Sequence, residues 1–94
     1  MPRALWNGHV IAETETFETV DGNIYFPKGS LTYENSEPSD QTSVCPWNGT
    51  ANYYHVVVDD ARNENAAWCY PDPKDAAANI KDHFAFWKGV TVQS

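Results

Sequence analysis

Few side chains in this sequence could do covalent or metal chemistry. The 94 residues include two cysteines and three histidines, namely Cys45, Cys69, His9, His55 and His83. A catalytic thiol needs an adjacent base and a lowered pKa. Cys45 lies in "TSVCPWNGTANYYHVVV", residues 42–58, with His55 ten residues on, past a turn and inside the next expected strand. That spacing permits a contact without specifying one. Structural zinc sites bring thiolates together from paired Cys-x-x-Cys knuckles, and the chain has neither knuckle. The three histidines fall in separate segments, and no pair of carboxylates is spaced for acid–base work. No catalytic residue, metal or cofactor is therefore expected, and both cysteines read as small apolar fillers. An enzyme, thiol-dependent through Cys45 or nucleotide-handling, stays the alternative.

The aromatic residues offer more. Tyrosine and tryptophan combine a large apolar face with a polar tip, so a cleft lined by them holds a small planar or cationic ligand by stacking and one or two hydrogen bonds. If 51–58 pairs with 66–70 across the turn "DDARNEN", the rings of Tyr53, Tyr54, Trp68 and Tyr70 gather near Trp47. The expected ligand-binding set is Asp40, Thr42, Cys45, Trp47, Tyr54, Trp68 and Tyr70. The same rings could equally form the core of a small domain.

The elements that must position these residues are short. Asn7-Gly8, Asp21-Gly22, Lys28-Gly29, Asn48-Gly49 and Asp59-Asp60 punctuate runs of β-branched and aromatic residues, the pattern of a hairpin-built β domain. Strands are expected at 3–6, 9–14, 17–20, 23–26, 31–34, 51–58, 66–70 and 90–93. Segment 51–58 is apolar on both faces and belongs in the middle of the fold. Residues 35–50, polar and with two prolines, read as a long loop. "DPKDAAANIKDHFAFW" reads as an α-helix, with Asp72 as N-cap, Pro73 in the first turn and an apolar stripe of Ala76, Ile80, Phe84 and Trp87. Gly89 would end it, and "VTV" would return as a strand.

A chain this length folds as one domain, 1–94. Its formal charge is −7 and its six cationic side chains are scattered, which argues against nucleic acid and anionic membrane surfaces. No run approaches the ~18 apolar residues of a membrane span. The start "MPRALWNGHV" lacks a secretory h-region, so a cytoplasmic protein with free thiols is expected. Exposed edge strands make a homodimer a further expectation.

Four stretches carry a family resemblance: "YFP" at 25–27, "EPSDQTSVCPWNGTANYY" at 37–54, "AAWCYPDP" at 66–73 and "FAFWKGV" at 84–90. Together with the looser "LWNGHVIAE", they resemble the DUF427 family across the whole chain. The resemblance implies a mainly β single domain of coiled antiparallel sheets, β-tent or Mss4-like, with one C-terminal α-helix. It implies little about activity. The nucleotidyltransferase-like name attached to the family would require a Gly-Ser turn followed by two carboxylates spaced Asp-x-Asp to hold divalent metal. Here Gly29-Ser30 is followed by Asp40 and then "QTS", and Asp59-Asp60 are adjacent, so they would point to opposite faces of a strand. The residues do not support that name. A β-tent relative, the CULT domain, binds ligand in an aromatic cage, which agrees with the cleft reading by analogy of fold.

Overall fold

Asn7 and Gly8 both have positive φ (51° and 79°), as do Asp21 and Gly22 (53° and 80°). This is the backbone of two-residue hairpin turns whose twist matches the strands they join. The first turn joins β1 (Arg3–Trp6) to β2 (His9–Glu13), and the second joins β3 (Glu18–Val20) to β4 (Asn23–Pro27). The computed structural model describes residues 1–94. The chain continues through β5 (Ser36–Cys45), β6 (Gly49–Val58), β7 (Ala61–Cys69), β8 (His83–Phe86) and β9 (Thr91–Gln93).

All strand ladders are antiparallel. They form a three-stranded sheet, β2-β1-β9, and a six-stranded sheet, β3-β4-β8-β7-β6-β5, whose outer strands do not pair, so no barrel closes. The mainly β expectation is met. No helix is long and apolar enough to cross a membrane.

Three expectations are corrected. Residues 36–45 are not loop but a ten-residue edge strand, paired to β6 from Ser36 opposite Val56 to Cys45 opposite Gly49. None of its residues is buried, so it carries no apolar period, and Pro38 is tolerated because an edge strand can dispense with an N–H.

Residues 31–34 are not a strand either. Leu31 makes one bridge to Ala12, and Tyr33–Asn35 is a single 3-10 turn.

The expected C-terminal α-helix does not form. Its first half is a 3-10 segment, Asp75–Ile80, interrupted at Ala77 (φ −122°, ψ 23°). Asp82, at φ 59°, then redirects the chain into β8. Ile80 and Phe84 do enter the core, but in different clusters, because period-2 alternation takes over at His83.

The alternation along β8 shows how the core is divided. Phe84 and Phe86 pack with Ala4, Ile11, Phe26, Val56, Val58 and Cys69, between the two sheets' residues. Ala85 faces the other way, into a smaller cluster with Tyr25, Ala51, Tyr70, Ala77 and Ile80. The six-stranded sheet is thus covered on both faces. One face packs on the small sheet, and the other is partly roofed by the segment Asp75–Ile80.

Candidate functional site

On that second face one row of side chains crosses four strands. Tyr53 on β6 stands opposite Trp68 on β7, and Trp68 stands opposite Ala85 on β8. Tyr25 on β4, the residue before Phe26, falls beside Ala85, because Phe26 pairs with Phe84. Ala85 is too small to separate its neighbours, so Trp68 and Tyr25 meet above it. Their rings are edge to face at 6.3 Å and 87°, and the Trp68 indole N–H donates to the Tyr25 hydroxyl at 3.2 Å.

Trp87 follows β8 and extends its ladder, its backbone N–H donating to Ala66 O at 2.9 Å. Its ring stands nearly perpendicular to Trp68 (5.8 Å, 80°) and tilted against Tyr53 (6.3 Å, 38°). Tyr53, Trp68, Tyr70 and Trp87 together line an open hollow of about 190 Å³.

Each ring is held by its polar tip. Trp87 Nε1 donates to Asn65 O at 2.6 Å, and the Tyr53 hydroxyl hydrogen-bonds Ser43 Oγ at 2.9 Å. The Tyr70 hydroxyl lies against Asn48 and Cys45; burial pushes its phenol up, and the neighbouring Asn48 side chain opposes this. Burial also raises the Tyr25 phenol, opposed by the Trp68 N–H. The Tyr25 and Tyr70 phenols therefore keep their protons at neutral pH.

A β-bulge beside the hollow fixes Trp87. Between Tyr54 opposite Ala67 and Val56 opposite Asn63 the ladder slips, and Asn65 takes φ 57° to absorb the extra residues. Its N–H donates to His55 Nδ1 at 3.0 Å, its Oδ1 accepts from Ser39 Oγ, and its carbonyl holds the Trp87 indole. Because Nδ1 accepts, the neutral His55 ring carries its proton on Nε2.

The other end of the hollow is set by the hairpin from β5 to β6. Gly49 has φ 110°, a backbone that strains any other residue, and the backbone of Asp72–Lys74 lies in van der Waals reach of it. Lys74 N–H donates to Asn48 O at 2.9 Å and Lys74 Nζ to Pro46 O at 2.9 Å. This clamp holds Asn48 and Cys45 over Tyr70.

Of the seven residues expected from sequence, Trp68 and Tyr70 line the hollow, and half-buried Cys45 packs beside them. Trp47 stands at the hairpin tip, 73% exposed and away from the lining. Asp40 and Thr42 are exposed on the edge strand. Tyr54 points to the opposite face, its ring edge to face with Phe84 at 4.9 Å.

The two walls absent from the expected set are Tyr53 and Trp87. The alternation His83, Ala85, Trp87 against Phe84, Phe86 would have found Trp87, had it been read with period 2.

The thiols are separate. Both are free; Cys45 belongs to the hollow's side of the sheet and Cys69 to the other. His55 lies six residues past Gly49, the partner of Cys45, so roughly 20 Å of strand separates them. Burial raises the Cys69 thiol to about 11.

Comparison with known proteins adds the family alone. The family model described as a domain of unknown function, DUF427, matches residues 2–93. No curated protein matches the chain.

Proposed function

The chain thus belongs to the DUF427 family, and we propose that this member is a non-catalytic binding module whose hollow is an aromatic cleft for a small planar or cationic group. One observation carries the reading. The indole N–H groups of Trp68 and Trp87 and the hydroxyl of Tyr53 are already hydrogen-bonded within the protein, so the cleft presents π faces with few free donors. Two of those faces are nearly perpendicular, which suits a group contacted from more than one side.

Size narrows the ligand. A cleft of about 190 Å³ is smaller than the roughly 300–1,000 Å³ of sites that engulf a drug-sized molecule. It fits a head group or side chain presented by a larger molecule. A cation already lies nearby, with Lys88 Nζ 5.1 Å from the Trp87 ring centre, and the formal charge of −7 favours cations at long range.

A thiol enzyme is the weaker reading, given the length of strand between Cys45 and His55. A homodimer paired through β5 is weaker too, since Glu37, Pro38 and Asp40 blunt that edge. The β-tent likeness and the absence of a nucleic-acid partner belong to the same proposal; the two-sheet architecture and the acidic charge support them.

Titrating tetramethylammonium, a neutral flat heterocycle such as uracil, and a neutral aliphatic control while following tryptophan fluorescence tests the reading. Saturable quenching by either of the first two supports it. If neither produces saturation, or the aliphatic control acts equally well, the cleft reading fails.

A further inference from the structure

The opposite face of the six-stranded sheet carries a larger cavity, about 480 Å³. Its floor is the edge-to-face pair Tyr54 and Phe84 with Val57, and its wall is the segment from Lys28 to Pro38. That wall is fixed from several sides. Lys28 N–H donates to Asp82 O at 2.9 Å and Thr32 N–H to Ile11 O at 3.0 Å. The Asn35 side-chain amide donates to Val57 O at 2.7 Å. The cavity is therefore built into the fold, and its volume falls within the range of small-molecule sites.

Two of its polar groups, the Lys28 ammonium and the Tyr54 hydroxyl, differ from those of the aromatic cleft in having no protein partner. The chain has six cationic side chains. Arg3 and Arg62 are ion-paired, Lys74 is hydrogen-bonded and Lys88 lies over Trp87. Of the remaining two, Lys28 and Lys81, only Lys28 lines the cavity. Its charge is felt at Cys69, which stands opposite Phe84 on the floor. The Tyr54 hydroxyl has no protein partner among the side-chain hydrogen bonds, yet it is not sealed from solvent.

Of the two acids on the rim, Glu37 is tied to Arg62 at 3.0 Å. Glu34 is unpaired and would repel a second negative charge.

We propose that this cavity is a second binding site, for an apolar monocarboxylate. The body of the ligand lies on Leu31, Val57 and Phe84, and its carboxylate accepts from Lys28 Nζ and the Tyr54 hydroxyl. Apolar contact supplies bulk affinity without direction, whereas the unpaired ammonium selects the sign of the head group. Glu34 disfavours dicarboxylates and phosphates. The site is independent of the aromatic cleft and does not rest on it.

The test is an NMR titration of the isotope-labelled 94-residue chain with 3-phenylpropionate, 3-phenylpropylamine and phenylsuccinate. The expected result is saturable shifts at Leu31, Val57 and Phe84 with 3-phenylpropionate, and weaker binding of the other two. Lys28→Gln, an exposed position whose backbone bonds are kept, should weaken the carboxylate roughly tenfold, as expected for losing one charge-assisted hydrogen bond. Tyr54→Phe should weaken it less. Equal binding of amine and carboxylate overturns the proposal. So does an unchanged affinity in Lys28→Gln, a shift pattern centred on Trp68 and Trp87, or no saturation at millimolar probe.

Discussion

Trp68 and Tyr25 lie on strands that are not neighbours, yet they share a hydrogen bond of 3.2 Å over the top of Ala85. The two partners are unequally buried. Tyr25 is 2% exposed, while Trp68 is half-buried at the hollow. Losing the indole N–H leaves a phenol sealed from water, whereas losing the hydroxyl leaves an N–H that water can reach. Trp68→Phe should therefore destabilise by about 1–3 kcal/mol and Tyr25→Phe by about 1 kcal/mol or less. Urea unfolding of both variants checks the order; a larger loss in Tyr25→Phe would contradict it.

Trp87 separates binding from folding. It is 45% exposed, and its backbone bond to Ala66 survives truncation. Trp87→Ala should lower stability by about 1–3 kcal/mol, the worth of its ring contacts and of the indole bond to Asn65 O, while removing saturable binding of the quenching ligand. Phe26→Ala is the contrast. Phe26 is fully buried and edge to face with Phe86 at 5.5 Å, so it should cost about 3–5 kcal/mol, enough to unfold much of so small a domain. Thermal melts and the same titration distinguish the two. A Trp87→Ala chain that unfolds like Phe26→Ala would make Trp87 a structural residue.

Asn65 is the hinge of the bulge, and its backbone does more than its side chain. Asn65→Gly keeps φ 57° accessible and retains the bonds to His55 and Trp87, losing only the Ser39 contact. Asn65→Val forces a β-branched residue into the left-handed region, at a cost of about 1–3 kcal/mol. The expected order of melting temperatures is wild type, then Asn65→Gly close behind, then Asn65→Val well below. Similar melting of the two variants would mean that the side chain, and not the backbone, holds the bulge.

What the sequence made legible follows the strength of its signals. The Asn-Gly and Asp-Gly turns placed the first four strands, because positive φ at both positions is a local demand that few residues meet. The apolar run 51–58 was readable as central for a similar reason: both of its faces are packed. Strand β5 was not readable, since an edge with no buried residue leaves no period to detect. The helix expected at the C-terminus was a coincidence of spacing. Ala76, Ile80, Phe84 and Trp87 fit one helical stripe, but Asp82 in the left-handed region splits them into a 3-10 turn and a strand. That split carried Trp87 from an imagined core stripe to the wall of the hollow. Part of the candidate site was therefore visible in Trp68 and Tyr70 and in the gathering of Tyr53 with them, while Trp87 depended on tertiary pairing.

The last prediction concerns alkaline pH. Burial raises the Cys69 thiol from 9.0 to about 11, and it also raises the phenols of Tyr25, Tyr54 and Tyr70. In every case the folded state holds the proton more tightly than the unfolded chain. The stability this represents is complete below pH 9.0 for Cys69 and is lost as pH rises toward about 11, because the unfolded chain ionises first. Cys69→Ala removes the thiol's share. At neutral pH the variant should be less stable than wild type by about 1 kcal/mol, from the small void it leaves. That deficit should shrink as pH rises past 9.0 and reverse before about 11, because the tighter hold on the thiol proton is worth more than the ~1 kcal/mol the void costs. Urea midpoints measured across this range check it. A deficit that stays constant would show that the folded thiol ionises as readily as the unfolded one, and would place Cys69 in contact with water instead of under the sheet.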